Sequence, residues 1–120
     1  MINPVKIGIL SCNHGHARAY YQMSKSPYYD LVGVSIASGY RNNVGLENWP
    51  DIVQYDSDDA LYEAHPDMEA VVIASDNASH YRQVKWAVER NLHIFSMKIP
   101  TFDPEEYREM VRLTKEAGLV

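Results

Sequence analysis

The segment Val5-Lys6-Ile7-Gly8-Ile9-Leu10, followed by Ser11-Cys12-Asn13-His14-Gly15-His16, decides the fold predicted for this chain. The first six residues are mostly apolar and run into turn-forming residues, a pattern typical of a buried strand. A helical pattern follows from about residue 15 to residue 25, and Pro27 ends it. A buried strand, a tight turn and a helix in this order are typical of the start of a nucleotide-binding α/β fold.

Four further strand-like runs alternate with helical patterns along the chain. They are Leu31–Ile36, Ile52–Tyr55, Ala70–Ala74 and Leu92–Met97. The run Ala70–Ala74 is apolar on both faces, as expected for a central strand of a parallel sheet. The alternation predicts a doubly wound, Rossmann-like αβα fold of three layers, with about five strands in the order 3-2-1-4-5. The ligand is expected at the carboxyl ends of strands one and four, where the winding direction switches.

Capping residues predict the limits of two helices. Asp56, with Asp59 three residues later, indicates the start of one helix. Asp103 indicates the start of the last helix, with Glu106 completing a capping box. Gly118 suits a left-handed stop at the end of that helix.

Length and composition exclude several classes of protein. The 120 residues fit one domain, and the formal net charge is -5. Without a basic stripe, nucleic acid is not an expected partner, and without a long apolar run no membrane span is expected. The chain has one cysteine and no secretion signal, so we expect a reducing, cytoplasmic environment.

The loop after the first strand departs from the dinucleotide fingerprint G-x-G-x-x-G. Ser11, Asn13 and His16 occupy the three glycine positions, and Gly15 lies one residue early. Ser11 is small enough for a close turn, and Asn13 is the residue best suited to left-handed backbone. The larger His16 requires different packing of helix on strand. We interpret the whole loop as an unusual phosphate-binding loop, formed by Ser11, Cys12, Asn13, His14, Gly15 and His16.

The residues of this loop also suggest two alternatives to phosphate binding. Cys12, His14 and His16 alternate along the loop, so their side chains diverge and a metal site is not expected. The other alternative to phosphate binding is that His14 and His16 are polar surface residues at the start of a helix.

The end of the second strand bears on the choice between NAD and NADP. NAD sites usually place a carboxylate here for the adenosine ribose, but the strand ends Ser35-Ile36-Ala37-Ser38. Arg41 follows, and a hydroxyl with a guanidinium suits a 2′-phosphate. Ser38 and Arg41 therefore favour NADP, the alternative being ordinary polar residues of a loop that spans residues 37–50.

Three segments together resemble the Gfo/Idh/MocA family of oxidoreductases. Lys6–Leu10 is similar to the family's opening strand, and Ala74–Tyr81 is similar to its A-T-P-N-x-x-H-Y segment. In the latter, Asn77 and His80 match, whereas Ser75 and Asp76 replace Thr and Pro.

The third segment, Asn91–Lys98, resembles the strand that leads to the family's E-K-P signature. Lys98 matches the signature lysine, Met97 replaces the glutamate, and Ile99-Pro100 replaces the immediate proline. The resemblance covers almost the whole chain, and its specificity comes from the order and spacing of the three segments.

The resemblance implies an NAD(P)-binding Rossmann domain over residues 1–120, with a C-terminal substrate domain that this chain lacks. In the family that second domain supplies most of the substrate pocket and a catalytic histidine. Lys98 is the implied catalytic residue here, hydrogen-bonding a substrate oxygen beside the nicotinamide, and a surface lysine is the alternative. The further implied cofactor contacts are Ser75, Asp76, Asn77, His80 and Met97, with a purely structural role open for His80.

The functional prediction is the dinucleotide domain of an oxidoreductase acting on a sugar, polyol or related hydroxyl compound. The altered loop, the missing acid and the lost glutamate leave open a non-catalytic module that binds nucleotide or assembles with partners. A flavodoxin-like or CoA-binding domain of the same architecture is a third reading. Homo-oligomerisation through apolar surface stays open.

Overall fold

Five parallel strands form one sheet in the order β3-β2-β1-β4-β5, which confirms the predicted topology. The computed structural model describes residues 2–13, 17–23, 25–36 and 49–120. The elements in chain order are β1 Val5–Leu10, α1 Ala17–Met23, β2 Tyr29–Ser35, β3 Gln54–Tyr55, α2 Asp58–Ala64, β4 Ala70–Ile73, α3 Asn77–Glu89, β5 His93–Ser96 and α4 Pro104–Glu116.

Two apolar clusters cover the two faces of the sheet, because successive strand side chains point to opposite sides. In β4, Val72 belongs to one cluster, and Val71 and Ile73 belong to the other. The first cluster includes Tyr21 of α1 stacked on Trp49, with ring centroids 4.8 Å apart. The expectation that this strand is apolar on both faces is confirmed.

Glycines in β1 and β2 allow the helix α2 to approach the sheet closely. A Cβ atom on Gly8 would lie 2.5 Å from Met68 Sδ, and one on Gly33 would lie 2.6 Å from a ring carbon of Tyr55. Leu61 of α2 also lies about 3.0 Å from both positions. Leu61 of α2 therefore packs directly over the backbone of β1 and β2.

The start of α2 differs from the prediction. Ser57, and not Asp56, is the N-cap residue, and its hydroxyl accepts a hydrogen bond from Ala60 N–H at 3.0 Å. Asp58 and Asp59 then occupy the first turn, where carboxylates interact favourably with the helix dipole.

The last helix starts as predicted at its cap but without a capping box. Asp103 accepts from Glu105 N–H at 2.8 Å. The Glu106 carboxylate accepts instead from the Thr101 hydroxyl at 2.5 Å, and the Asp103 N–H that a capping box would use donates to that same hydroxyl at 3.1 Å. Gly118 has φ of 68° at the helix end, which confirms the left-handed stop.

Several strand and helix limits shift by one to three residues. β2 starts at Tyr29, earlier than predicted, since the strand pairs from Val5↔Tyr29 onward. β3 is shortened to two residues. α1 ends at Met23, and Lys25 already lies in a turn. Within the described ranges, no helix combines the length and apolar character needed to cross a membrane.

Candidate functional site

The turn after β1 is built on a strained serine. Ser11 has φ of 67°, in the left-handed region that favours glycine, and it is fully buried. Its N–H donates to the Ser35 carbonyl at 3.1 Å and lies 3.3 Å from the Ser35 hydroxyl. The left-handed residue of the described loop is thus Ser11, at the first glycine position of the fingerprint. Asn13, the residue judged best suited to that conformation, does not adopt it.

Buried polar atoms without hydrogen-bond partners lie at two strand ends. At the end of β1 they are Ser11 Oγ and both side-chain amide atoms of Asn13, and at the end of β5 the atom is Ser96 Oγ. None of them meets a partner within the described part of the chain. Buried polar groups are normally paired, so these atoms fit a site that receives a polar ligand. Ser11 and Asn13 can donate to the phosphates of a dinucleotide, and they can donate to or accept from its ribose hydroxyls.

Cys12 and Met97 lie beneath the edge of the site, inside the apolar core. Both belong to the cluster that also holds Ile9, Val72 and Trp49. Burial raises the pKa of the Cys12 thiol to about 12, because the thiolate would lose its hydration. Met97 is held to β4 through its N–H, which donates to the Ile73 carbonyl at 3.2 Å. Cofactor contact by these two residues stays a prediction.

A buried polar network runs along the carboxyl edge of the sheet. The Ser35 hydroxyl, at the end of β2, donates to the Asp58 carboxylate. Gln83 Nε2 donates to the other oxygen of Asp58 at 3.0 Å. The Ser75 hydroxyl, just past β4, donates to Gln83 Oε1 at 2.5 Å. Together with the Ser11 N–H, these contacts link the ends of three strands through the first turn of α2 and the middle of α3.

His80 connects the loops that follow β4 and β5. Its Nε2 lies 3.1 Å from the Ser75 carbonyl oxygen, and its Nδ1 lies 3.1 Å from the Ile99 carbonyl oxygen. A neutral ring can donate to only one of the two carbonyls at a time. The side chain is only 1% exposed. This arrangement supports the structural role left open for His80, with its ring holding the segment around Lys98 against α3.

The other residues of the segment after β4 are more accessible. Asp76 is the N-cap residue of α3, but its side chain does not cap the helix and accepts from the Ser79 hydroxyl at 2.9 Å. Asn77 is exposed at the first position of α3. Cofactor binding by Ser75, Asp76 and Asn77 stays a prediction.

Lys98 follows β5 at the same edge of the sheet. Its side chain is exposed, and its backbone φ is 58°, a second left-handed non-glycine conformation at this edge. Such conformations cost free energy and occur frequently in ligand sites. The catalytic role of its exposed ammonium stays a prediction.

Five predicted site residues lie outside the described residues. They are His14, Gly15, His16, Ser38 and Arg41. Among the residues that the structure does describe, no group of three or more His, Cys, Asp or Glu side chains is arranged to hold a metal ion.

Sequence reasoning missed the network residues Ser35, Asp58 and Gln83. Gln83 carried a usable signal, since it lies next to Val84 on the apolar face of α3 and a polar residue there requires buried partners. Asp58 carried less signal, because it is one of four acidic or serine residues in succession between β3 and the body of α2.

The fold and the polar edge define a parallel α/β domain of the nucleotide-binding class. Residues 5–120 match the sequence model of the Gfo/Idh/MocA oxidoreductase family. That model is described as an NAD-binding Rossmann fold. The chain belongs to this family, and it is an NAD-binding domain of that family's oxidoreductases. The resemblance stated from the sequence is confirmed.

Relatives of known sequence or structure are about three times as long. The chain is 25% identical over 122 residues to the uncharacterized oxidoreductase YrbE of Bacillus subtilis, covering 99% of this chain and 35% of that protein. D-galactose-1-dehydrogenase of Rhizobium etli has a TM-score of 0.81 at 18% identity, with 99% of this chain and 36% of that chain covered. KijD10, a 3-ketoreductase of Actinomadura kijaniata solved as a mutant with TDP-benzene and NADP, has the same TM-score and identity, with 98% and 36% covered.

Proposed function

We propose that this chain binds the dinucleotide along the carboxyl edge of the sheet, with the pyrophosphate beside Ser11 and Asn13. The observation that carries the proposal is the set of buried polar atoms at the end of β1 that have no hydrogen-bond partner among the described residues. They lie where the strand order switches from β1 to β4, the usual ligand position in doubly wound sheets. The loop residues Cys12, His14, Gly15 and His16 are proposed to complete the phosphate contacts.

The nicotinamide end is proposed to lie toward β5, beside Lys98. When bound, the nicotinamide supplies hydride acceptance or donation. The Lys98 ammonium then hydrogen-bonds the substrate oxygen and assists movement of its proton. His80 keeps the Lys98 segment in register through the Ile99 carbonyl. Ser75, Asp76, Asn77 and Met97 are proposed to line this half of the cofactor site.

The substrate is proposed to be a sugar, a polyol or a related hydroxyl compound, bound through a second domain. Two similar structures are a D-galactose-1-dehydrogenase and a 3-ketoreductase, which supports a carbon bearing a hydroxyl or carbonyl group as the reacting centre. This chain spans about a third of those proteins, so the substrate pocket is proposed to come from residues that the relatives carry beyond this domain. The gene sequence beyond Val120 tests this point, because a domain with an inward-facing histidine is expected there.

Calorimetric titration of the chain with NADH and with NADPH tests cofactor binding. We expect saturable binding of at least one of them with a Kd below millimolar. Asn13→Ala should weaken binding several-fold, since it removes two buried polar atoms from the site. Asn77→Ala offers a test of the β4 side of the site, and Asn3→Ala, in the exposed segment before β1, is a control outside it.

A second candidate is a nucleotide-binding module without redox activity. The observation in its favour is Met97, which is buried in the core at the position where the family signature has a glutamate. The two candidates differ in the turnover that they predict. Only if the chain is an oxidoreductase domain should a hydroxyl compound reduce the bound nicotinamide, in protein that also carries the proposed substrate domain. Lys98→Ala should then abolish that turnover while leaving cofactor affinity within a few-fold.

A further inference from the structure

A pocket opens between the first turns of α2 and α3, beside the ends of β1 and β2. Its volume is about 180 Å³. The residues that line it include Ser11, Asp56, Asp58, Asp59 and Arg82. Ser11 lines one wall of the pocket, and its Oγ is buried with no partner among the described residues. This unpaired hydroxyl, already used in the proposed function, indicates a polar ligand beyond the presence of acidic side chains.

Asp58 is the most firmly held carboxylate in this pocket. Its side chain is 12% exposed, and its two oxygens accept from Ser35 and from Gln83 Nε2. A carboxylate has about four lone-pair sites, so each oxygen retains capacity for one more donor. The contact with Ser35 places the carboxylate against the last residue of β2, the strand end at which dinucleotide folds read the adenosine ribose.

We propose that Asp58, reaching over from α2, supplies the ribose-reading acid that β2 lacks, and that this chain therefore prefers NAD to NADP. The inference rests on the proposed binding of a dinucleotide along this edge. The ribose 2′-hydroxyl of NAD donates to the Asp58 carboxylate, and a charge-assisted hydrogen bond of this kind is strong. A 2′-phosphate cannot donate and carries negative charge to the same position.

The charges around the pocket oppose a 2′-phosphate. Asp56, Asp58 and Asp59 contribute three carboxylates, and Arg82 contributes one guanidinium. The Asp59 carboxylate forms an ion pair with Arg90 at 3.0 Å, and Arg90 does not line the pocket. The Arg82 side chain is 66% exposed. Its guanidinium lies 4.0 Å from the Asp58 carboxylate, so it already faces a negative charge. Among the described residues that line the pocket the balance of charge is negative, and repulsion between like charges is strong at short range.

The test compares ADP-ribose with its 2′-phosphorylated form, two ligands that differ only in that phosphate. At low salt we expect the unphosphorylated ligand to bind the wild-type chain at least about tenfold more tightly, equal to about 1.4 kcal/mol. This difference in affinity between the two ligands, the affinity gap, should narrow as the salt concentration rises, because screening weakens the repulsion. Asp58→Asn should close most of the gap, and Asp56→Asn should close part of it. Glu63→Gln makes the same change of charge on the outer face of α2 and should leave it unchanged.

Each outcome decides between named alternatives. Tighter binding of the 2′-phosphorylated ligand overturns the role of Asp58, and loss of that preference in Arg41→Ala would then assign it to Arg41. A preference that is insensitive to salt, or is unchanged in a folded Asp58→Asn variant, also overturns it. If Asp58→Asn does not fold, an unchanged gap in Asp56→Asn together with salt insensitivity has the same meaning. Failure of both ligands to bind overturns the proposed function itself.

Discussion

The carboxylate of Asp58 accepts a hydrogen bond from the hydroxyl of Ser35, so that an acid from the first turn of α2 lies against the last residue of β2. Gln83 donates to the same carboxylate from α3. The carboxyl edge of the sheet, where the cofactor site is proposed, is therefore fixed by side chains from two helices as well as by the strands.

Gln83 is expected to be important for stability although it lies in a helix interior. Gln83→Leu keeps a similar side-chain volume. It removes the amide oxygen that accepts from the Ser75 hydroxyl and the amide nitrogen that donates to Asp58. We expect a loss of about 1–3 kcal/mol in the free energy of unfolding, measured by urea denaturation. Gln22→Leu, the same substitution at an exposed position of α1, should change it by less than about 0.5 kcal/mol. Equal effects of the two substitutions would contradict the network.

Ser11→Gly is expected to stabilise the folded chain. The left-handed conformation of Ser11 is costly for a residue with a Cβ atom, and its buried hydroxyl has no partner among the described residues. Relief of both effects should raise the free energy of unfolding by up to about 1 kcal/mol, even though glycine makes the unfolded chain more flexible. As a control, Ser57→Gly at an extended N-cap position should lower it by a few tenths of a kcal/mol. A clear loss of stability in Ser11→Gly would show that the hydroxyl is used in the free protein.

The Cys12 thiol is expected to be unreactive in the folded chain. Burial raises its pKa to about 12, so little thiolate is present at neutral pH, and the sulfur is also inaccessible. A disulfide reagent such as Ellman's reagent should modify it only after unfolding. Because the folded-state pKa lies above the unfolded value, the contribution to stability is complete below the unfolded pKa of about 9 and is lost as pH rises toward about 12. Cys12→Ser should weaken this alkaline dependence, and rapid modification of folded protein would contradict the burial.

His80 is expected to protect the loop after β5 from proteolysis. Its ring bonds to the carbonyl of Ile99, directly after Lys98. His80→Phe removes this bond, so local opening becomes more frequent and trypsin should cleave after Lys98 several-fold faster. His65→Phe is a matched control, since His65 contacts Tyr55 at 2.8 Å far along the chain from this loop. Equal cleavage rates in the wild type and His80→Phe would contradict the proposal that His80 bridges the loops after β4 and β5.

The topology was predictable because the strands are short apolar runs separated by helical patterns. Val71, Val72 and Ile73 fill both core clusters, and such a run has few alternatives to a central parallel strand. The limits of β2 were less predictable. Tyr29 and Asp30 follow Pro27 and resemble turn residues, but pairing with Val5 and Lys6 extends the strand.

The site was predictable only as a position at the sheet edge. The predicted strand order indicated that the segments after Leu10, Ala74 and Met97 lie at one edge of the sheet. Tertiary contacts decided the rest: Ser35 and Asp58 are 23 residues apart, and Gln83 and Asp58 are 25 apart. Local patterns carry no information on such pairings. The apparent absence of an acid after β2 was therefore a property of the local sequence and not of the folded edge.

The most direct test of dinucleotide binding at this edge is amide chemical-shift mapping by NMR during titration with NADH. We predict that the largest shifts fall on Ser11–Asn13 and Ser75–Asn77, at the carboxyl ends of β1 and β4, with smaller shifts around Asp58. Amides at the opposite edge of the sheet, such as those of Val5 and Glu69, should not move. Absence of shifts at millimolar NADH, or shifts confined to the amino ends of the strands, would contradict the account.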